Sequence, residues 1–234
     1  RPAWCWCNRG VRDEREAELT RAPELLRILP LGGRLVSGDA LYCQRGLCRQ
    51  ILEGGGHYLL IVKANQPTLY RDIELFFAEP PFGERFATAE QRGRHGDRLE
   101  ERRIWASDGL KGYLQWPGLE QVMKIERKAE RKGKLEREVR YAITSQGRAV
   151  GAAQLLAQVR GHWSIENRLH YVRDVSFGED GSQVRKGAAP QVMAALRNAV
   201  IAILRQQGWA NIAAGLRHYA WQPGAALRLL GISQ

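Results

Sequence analysis

The sequence predicts an α/β fold: a parallel βαβ unit, then an antiparallel β-rich stretch, then a helical C-terminal part. Three observations carry this prediction. Residues 34–77 read strand, helix, strand, helix, and a helix between two strands implies parallel pairing with a right-handed crossover. Residues 80–145 are short segments punctuated by Gly93, Gly96, Gly109, Gly112 and Gly118, the pattern of hairpins. Residues 147–234 are mostly helical in pattern, with apolar residues at helical spacing.

The elements follow in order. Residues 1–20 open on a Trp/Cys cluster and pass into a charge run from Arg12 to Glu18, with 5–11 reading as part of a strand and turn. The opening is neither a Met start nor a signal peptide, so the chain is expected to be a fragment or a processed product. Residues 23–29 form a short helix with Pro23 in its first turn, where no backbone N–H is needed, and Gly32-Gly33 follows as a break. Residues 34–38 form a strand ending on Asp39. Residues 40–53 form a helix on Leu41, Leu47, Ile51 and Leu52, closed by Gly54-Gly55-Gly56. The unbroken apolar run 57–63 is a strand of the buried, parallel-sheet type, and Pro67 opens a helix to about 77. Parallel strands end on the same edge. Asp39 and the segment Lys63-Ala64-Asn65-Gln66 are therefore expected together where α/β sheets form their ligand crevice.

Further on, 98–106 and 121–128 read as strands, and 135–144 pairs back across 131–134 as a hairpin. Eight Lys/Arg and four Glu stand between Lys124 and Arg140, which suits a solvated hairpin and a DNA-facing one equally. The whole stretch 80–145 is expected as a β insertion into the α/β core. Helices follow at 149–158, from Trp163 to about Val175, and over 189–206. The last carries an apolar stripe of Val192, Ala195, Leu196, Ala199, Val200, Ile203 and Leu204, and a weaker helix lies between Gly208 and Gly215.

Composition narrows the function. The 234 residues are 44% apolar and 26% charged, enough for a packed core and against wholesale disorder. No apolar run approaches the roughly 18 residues of a membrane span. Thirty-six Lys and Arg against 25 Asp and Glu give a net charge of +11, and 29 of the 36 are Arg. Guanidinium forks match phosphate bidentately, so nucleic acid is the first partner to consider, with an Arg-rich coding bias as the alternative. Cys5, Cys7, Cys43 and Cys48 have no usual zinc spacing, and buried, inert thiols are expected.

The chemistry concentrates in 160–175. At 3.6 residues per turn, His162, Glu166, His170 and Arg173 share one helix face, while Ile165, Leu169 and Val172 form an apolar face beside it. Three readings stand. One is a surface ion-pair ladder. Another is a zinc site on the His-x3-Glu-x3-His spacing. The third is a hard-metal carboxylate site in which Glu166 meets Asp39. There, two Mg²⁺ ions roughly 4 Å apart would clamp the attacking and leaving oxygens of a phosphodiester. Spacing cannot show that Asp39 and Glu166 meet.

These residues carry a family resemblance. Ser37-Gly38-Asp39-Ala40-Leu41-Tyr42-Cys43-Gln44 resembles the second-aspartate motif of bacterial DDE transposases, in the H-repeat-associated group of the insertion-sequence-four superfamily. In matching order come Gly56-His57-Tyr58-Leu59-Leu60 through Lys63-Ala64-Asn65-Gln66, then His95-Gly96-Asp97-Arg98-Leu99-Glu100, then Trp116-Pro117-Gly118-Leu119. His162-Trp163-Ser164-Ile165-Glu166-Asn167 and Phe177-Gly178-Glu179-Asp180 complete the series. Each motif is weak alone; their order and spacing from about 18 to 202 are specific.

The resemblance implies a ribonuclease-H-like catalytic core over 1–234, with the β insertion at 80–145 placed before the last acid. Asp39 and Glu166 match the second catalytic Asp and the catalytic Glu, and would be the catalytic and metal-binding residues, with Mg²⁺ or Mn²⁺ as cofactor. Arg173 falls where the superfamily places a phosphate-contacting basic residue, and His162 where it has an Arg. Lys63, Asn65, Gln66, His162, Trp163, His170 and Arg173 are the candidate DNA contacts, with Trp163 able to stack on a base or to belong to the core. The implied partner is double-stranded DNA, both transposon ends and target. The implied assembly is a homodimer when active, in the bacterial cytoplasm at the nucleoid and not in a membrane.

The family's first Asp lies on an earlier strand. Asp13, the one Asp before the βαβ unit, sits in a charge run, so the first Asp and its strand are expected to be absent from this chain. The function expected is that of a DNA transposase core cutting and joining insertion-sequence ends, left incomplete and binding DNA with little or no cleavage. A non-catalytic nucleic-acid-binding remnant of the same fold is the alternative, and a general ribonuclease-H-like nuclease is a third reading.

Overall fold

The structure, a computed structural model, describes residues 18–95, 98–131, 134–165 and 171–232. The chain divides between His162 and Trp163 into two compact units.

The first unit opens with helix α1 (Glu18–Ile28), which contains Pro23 in its interior rather than in its first turn. Glu18, Leu19, Arg21 and Ala22 are good helix formers and extend the helix one turn upstream of the proline. The Pro23 carbonyl accepts a hydrogen bond from Gln50 Nε2 at 2.7 Å, which ties α1 to the next helix. Strand β1 (Leu35–Gly38) leads into a 3₁₀ turn (Ala40–Tyr42) and then α2 (Arg45–Glu53). The single helix expected over 40–53 is thus split. Asp39 caps the short turn, and the extended backbone of Gln44 (φ −128°, ψ 135°) separates it from α2.

Strand β2 (His57–Val62) pairs parallel with β1, in register Leu35 to His57 and Gly38 to Leu60, and α3 (Pro67–Ala78) follows. Four strands continue: β3 (Ala87–His95), β4 (Arg98–Ser107), β5 (Gln121–Arg131) and β6 (Lys134–Thr144). β3 was not visible in the sequence pattern, because an edge strand reading Ala-Thr-Ala-Glu-Gln-Arg-Gly-Arg-His has no apolar face to alternate. These strands do not make a separate sheet. β6 pairs antiparallel with β2, and the sheet runs β1-β2-β6-β5-β4-β3.

The core explains why β2 is apolar throughout. Tyr58, Leu60 and Val62 pack with Ile51 of α2, Ile73 and Phe76 of α3, and Trp116 of the 108–120 loop. Leu59 and Ile61, on the other face by strand alternation, are buried as well. Helix α4 (Ala152–Ile165) contributes buried Leu155, Leu156 and Val159. It runs through Gly161, where the sequence suggests a break between two helices; a helical glycine costs about 1 kcal/mol against Ala but does not end a helix held by packing.

β2 ends at Val62, opposite Tyr141, while β6 begins at Lys134. The β3–β6 ribbon therefore overhangs the Asp39 edge by roughly 20 Å, at about 3.3 Å per residue.

The second unit holds a π-helical segment (Val172–Ser176), a 3₁₀ turn (Glu179–Gly181), and helices α5 (Ala189–Gln206), α6 (Ile212–Trp221) and α7 (Pro223–Leu229). Val172, Ile201, Leu204 and Ile212 form its core, with Phe177, Val200 and Trp209 against them. Only part of the stripe expected on α5 is buried: Val192 and Leu196 are more than half exposed, and Ala194 and Ile201 take the inner face. Among the described residues no helix is long and apolar enough to cross a membrane.

Candidate active site

Gly38 has no space for a side chain. A Cβ there would lie 3.0 Å from Tyr42 Cβ and 3.1 Å from Leu60 Cδ2, so the strand closes onto the following turn only with glycine. Asp39 then leaves the sheet exposed to solvent, and its Oδ1 accepts the Leu41 N–H at 3.0 Å. This bond caps the 3₁₀ turn and orients the carboxylate.

The segment after β2 braces the same turn. Asn65 Nδ2 donates to the Ala40 carbonyl at 2.5 Å, and Gln66 Nε2 donates to the Cys43 carbonyl at 3.0 Å. Two side chains expected to reach DNA thus spend amide donors on the backbone that carries Asp39. Lys63 is exposed on that edge. From α4, His162 Nδ1 lies 3.2 Å from Ser37 Oγ, two residues before Asp39. Glu166 and His170 lie outside the described residues, as does the side chain of Trp163. The structure therefore brings together Asp39, Asn65, Gln66 and His162.

Arg173 stands in the π-helical segment of the second unit and is tied to Glu179. Its Nη2 donates to Glu179 Oε1 at 2.7 Å, its Nε donates to Oε2, and Arg197 Nη1 reaches Oε1 at 3.3 Å. The hydrogen bonds from Arg173 pull the Glu179 carboxyl below its usual range, and the same pairing pushes the Arg173 guanidinium up. Glu179, a residue with no role assigned from sequence, is the clamp that fixes the Arg173 fork. Arg197 was missed, and no local signal could have found it, since it lies on α5, 18 positions from Glu179.

Cys43 and Cys48 are fully buried and free; burial pushes their thiols up to about 12 and about 11, so they are unreactive near neutrality. Cys5 and Cys7 lie outside the described residues.

Residues 9–203 match the family described as "Transposase DDE domain". The chain belongs to the DDE transposase family. It is 31% identical to YhhI and to YbfL of Escherichia coli K12, each over 201 residues, 82% of this chain and 53% of the relative. It is 32% identical to YncI of Escherichia coli O157:H7 over 196 residues, 80% of this chain and 50% of the relative. YncI is named a putative transposase, and YhhI an H repeat-associated one. The chain spans about half the length of these curated relatives. No solved structure matches it.

For this DDE transposase family chain, two of the motifs that carried the resemblance acquire a structural reason. Tyr58 is wholly buried, and its hydroxyl donates to the Pro117 carbonyl at 2.8 Å, joining the motif on β2 to Trp116-Pro117-Gly118. Gly118 has φ +60°, and a Cβ there would meet Leu52 Cδ1 at 2.6 Å. Among the described residues no group of three His, Cys, Asp or Glu side chains could hold a metal ion. Asp39 is the one described member of the expected acid set, and an exposed carboxylate with one oxygen bound to an N–H suits a hard divalent cation in chemistry.

Proposed function

We propose that this chain forms part of a ribonuclease-H-like catalytic core of a DNA transposase that cuts and joins insertion-sequence ends, with Asp39 and Glu166 as two of its metal-binding acids. The observation that carries the reading is the braced turn at the end of β1. Asp39 is exposed, held by Leu41 N–H, and backed by Asn65 and Gln66, while His162 of α4 touches Ser37 on the same strand. Glu166 follows His162 by four positions in the sequence, so this contact supports a shared role with Asp39. The edge of β1 away from β2 has no partner strand among the described residues, which suits a sheet that takes another strand there.

In this reading Asp39 acts as a ligand and Asn65 and Gln66 act as positioning residues that hold its turn. Lys63, on the same edge, contacts phosphate. His162 fixes α4 against β1. Arg173, held as a planar fork by Glu179, contacts a phosphate in the second unit, with Trp163 and His170 as further DNA contacts. Bound Mg²⁺ or Mn²⁺ supplies Lewis-acid stabilisation of the attacking and leaving oxygens of the phosphodiester. The β ribbon overhanging the Asp39 edge offers a wall for duplex DNA, and two copies acting together fit a reaction on two ends.

Calorimetric titration with Mn²⁺ tests the site on this chain, on Asp39→Asn and on Glu166→Gln. Binding heat that is lost in both variants is the expected result. Heat unchanged in both overturns the shared site. DNA binding without any cation binding favours the non-catalytic reading of the same fold.

A further inference from the structure

We propose that the groove between α2 and the 108–120 loop binds the sugar–phosphate backbone of duplex DNA through Arg45 and Arg49. The groove has a volume of about 580 Å³ and lies on the first unit, with Trp116 in its wall. Glu120, its one acid among the described residues, takes the Lys111 ammonium at 2.7 Å. Arg45 and Arg49 are exposed, and among the described residues neither has a carboxylate within ion-pair distance.

Arg45 is preorganised. Its guanidinium carbon sits 5.1 Å from the centroid of the Trp116 ring. That ring is 7% exposed and anchored by its Nε1–H, which donates to Cys48 Sγ at 3.3 Å, so the platform is fixed. A guanidinium held over a ring by cation–π attraction keeps its N–H donors for a phosphate. Arg49 follows one helical turn later, about 6 Å along the axis.

This placement is unfavourable in the free protein. Two like charges at i and i+4 repel, and a cation in the first turn of a helix opposes the macrodipole. Among the described residues no carboxylate lies within ion-pair distance of either guanidinium to offset these costs. Cations spread along a groove, rather than converging on one point, fit a run of phosphates better than a single ion. α2 begins just after the turn that Asp39 caps, so a duplex at that edge can continue along it. The choice of DNA rests on the function proposed above; the groove's preference for anions does not.

Fluorescence anisotropy with a labelled duplex of arbitrary sequence, in EDTA so that no cleavage contributes, tests the groove on the full chain. The variants are Arg49→Gln, which removes a side chain with no ion pair, and Arg45→Gln/Arg49→Gln. The slope of log K against log salt is negative, and its magnitude is expected to drop by about 0.9 for the single variant and about 1.8 for the double. Unchanged melting temperatures separate this from misfolding. Slopes equal to that of the unaltered chain overturn the groove alone. Absence of binding by the unaltered chain overturns the DNA reading and the groove with it. Displacement of the duplex by inorganic phosphate beyond the effect of equal ionic strength of chloride marks a small-anion pocket and overturns the backbone assignment.

Discussion

Where β6 pairs with β2 and β5 with β6, Val122, Met123, Ala142 and Ile143 are at most 1% exposed; on β6 past the end of β2, Val139 and Leu135 are 37% and 66% exposed. The near half is held by apolar burial on both faces of the sheet. In the far half Ile104, Ile125 and Ala129 stay buried, but charged side chains fill most of the other positions and pair both between strands and within them. Arg103 bonds Glu90, Arg102 and Arg127 flank Glu100, Arg137 bonds Glu126, and Arg140 bonds Glu138. One ladder of backbone hydrogen bonds thus runs through two regimes. The far half also balances much of its own charge, so a count of cations overstates its pull on DNA, whereas Arg45 and Arg49 have no such partners among the described residues.

The largest effect is expected at Ile143, which is fully buried in the near half. Ile143→Ala should lower unfolding free energy by about 2–5 kcal/mol in urea titrations, while Val139→Ala should change it by less than about 0.5 kcal/mol. Equal losses would mean that the far half has a core of its own. Gly118→Ala comes next, at about 1–3 kcal/mol, since both the positive φ and the Leu52 contact oppose it. Tyr58→Phe should cost about 1–2 kcal/mol by leaving the buried end of the Pro117 bond unmade, read by thermal melts in the same series.

The smallest effects belong to the far half and should depend on solution conditions. The Arg103 hydrogen bond holds the Glu90 carboxyl below its ordinary value of 4.5. A depressed carboxyl contributes stability above its unfolded pKa and loses it as the pH falls through the folded one. Protection of ribbon amides from hydrogen exchange should therefore fall on acidification below about pH 4.5 and in high salt, while that of near-half amides stays level. Near-half amides that respond equally would erase the distinction between the halves.

Much of the fold was legible because its signals are local. The apolar run of β2, the three glycines after α2 and the Arg-Lys-Gly-Lys turn each mark an element within a few residues. Strand β3 was not legible, since its charged sequence is stable only as the partner of β4. Pro23 misled for a related reason: tertiary packing of α1 on α2 overrides the local preference that would start a helix at that residue.

At the site, the sequence by itself determined that Asp39 ends a strand on the same edge as Lys63, because parallel pairing follows from the βαβ order. Its motifs also determined family membership. Only the tertiary structure decided what surrounds that acid. Asn65 and Gln66 turned out to grip the carbonyls of residues 40 and 43, and Ser37 met His162 from 125 positions away. Glu179 became the clamp on Arg173 with Arg197 behind it. Hydrogen bonds between side chains far apart in sequence leave no periodicity to read. They are fixed by where packing puts the backbone, and so emerge only once the sheet and its helices are assembled.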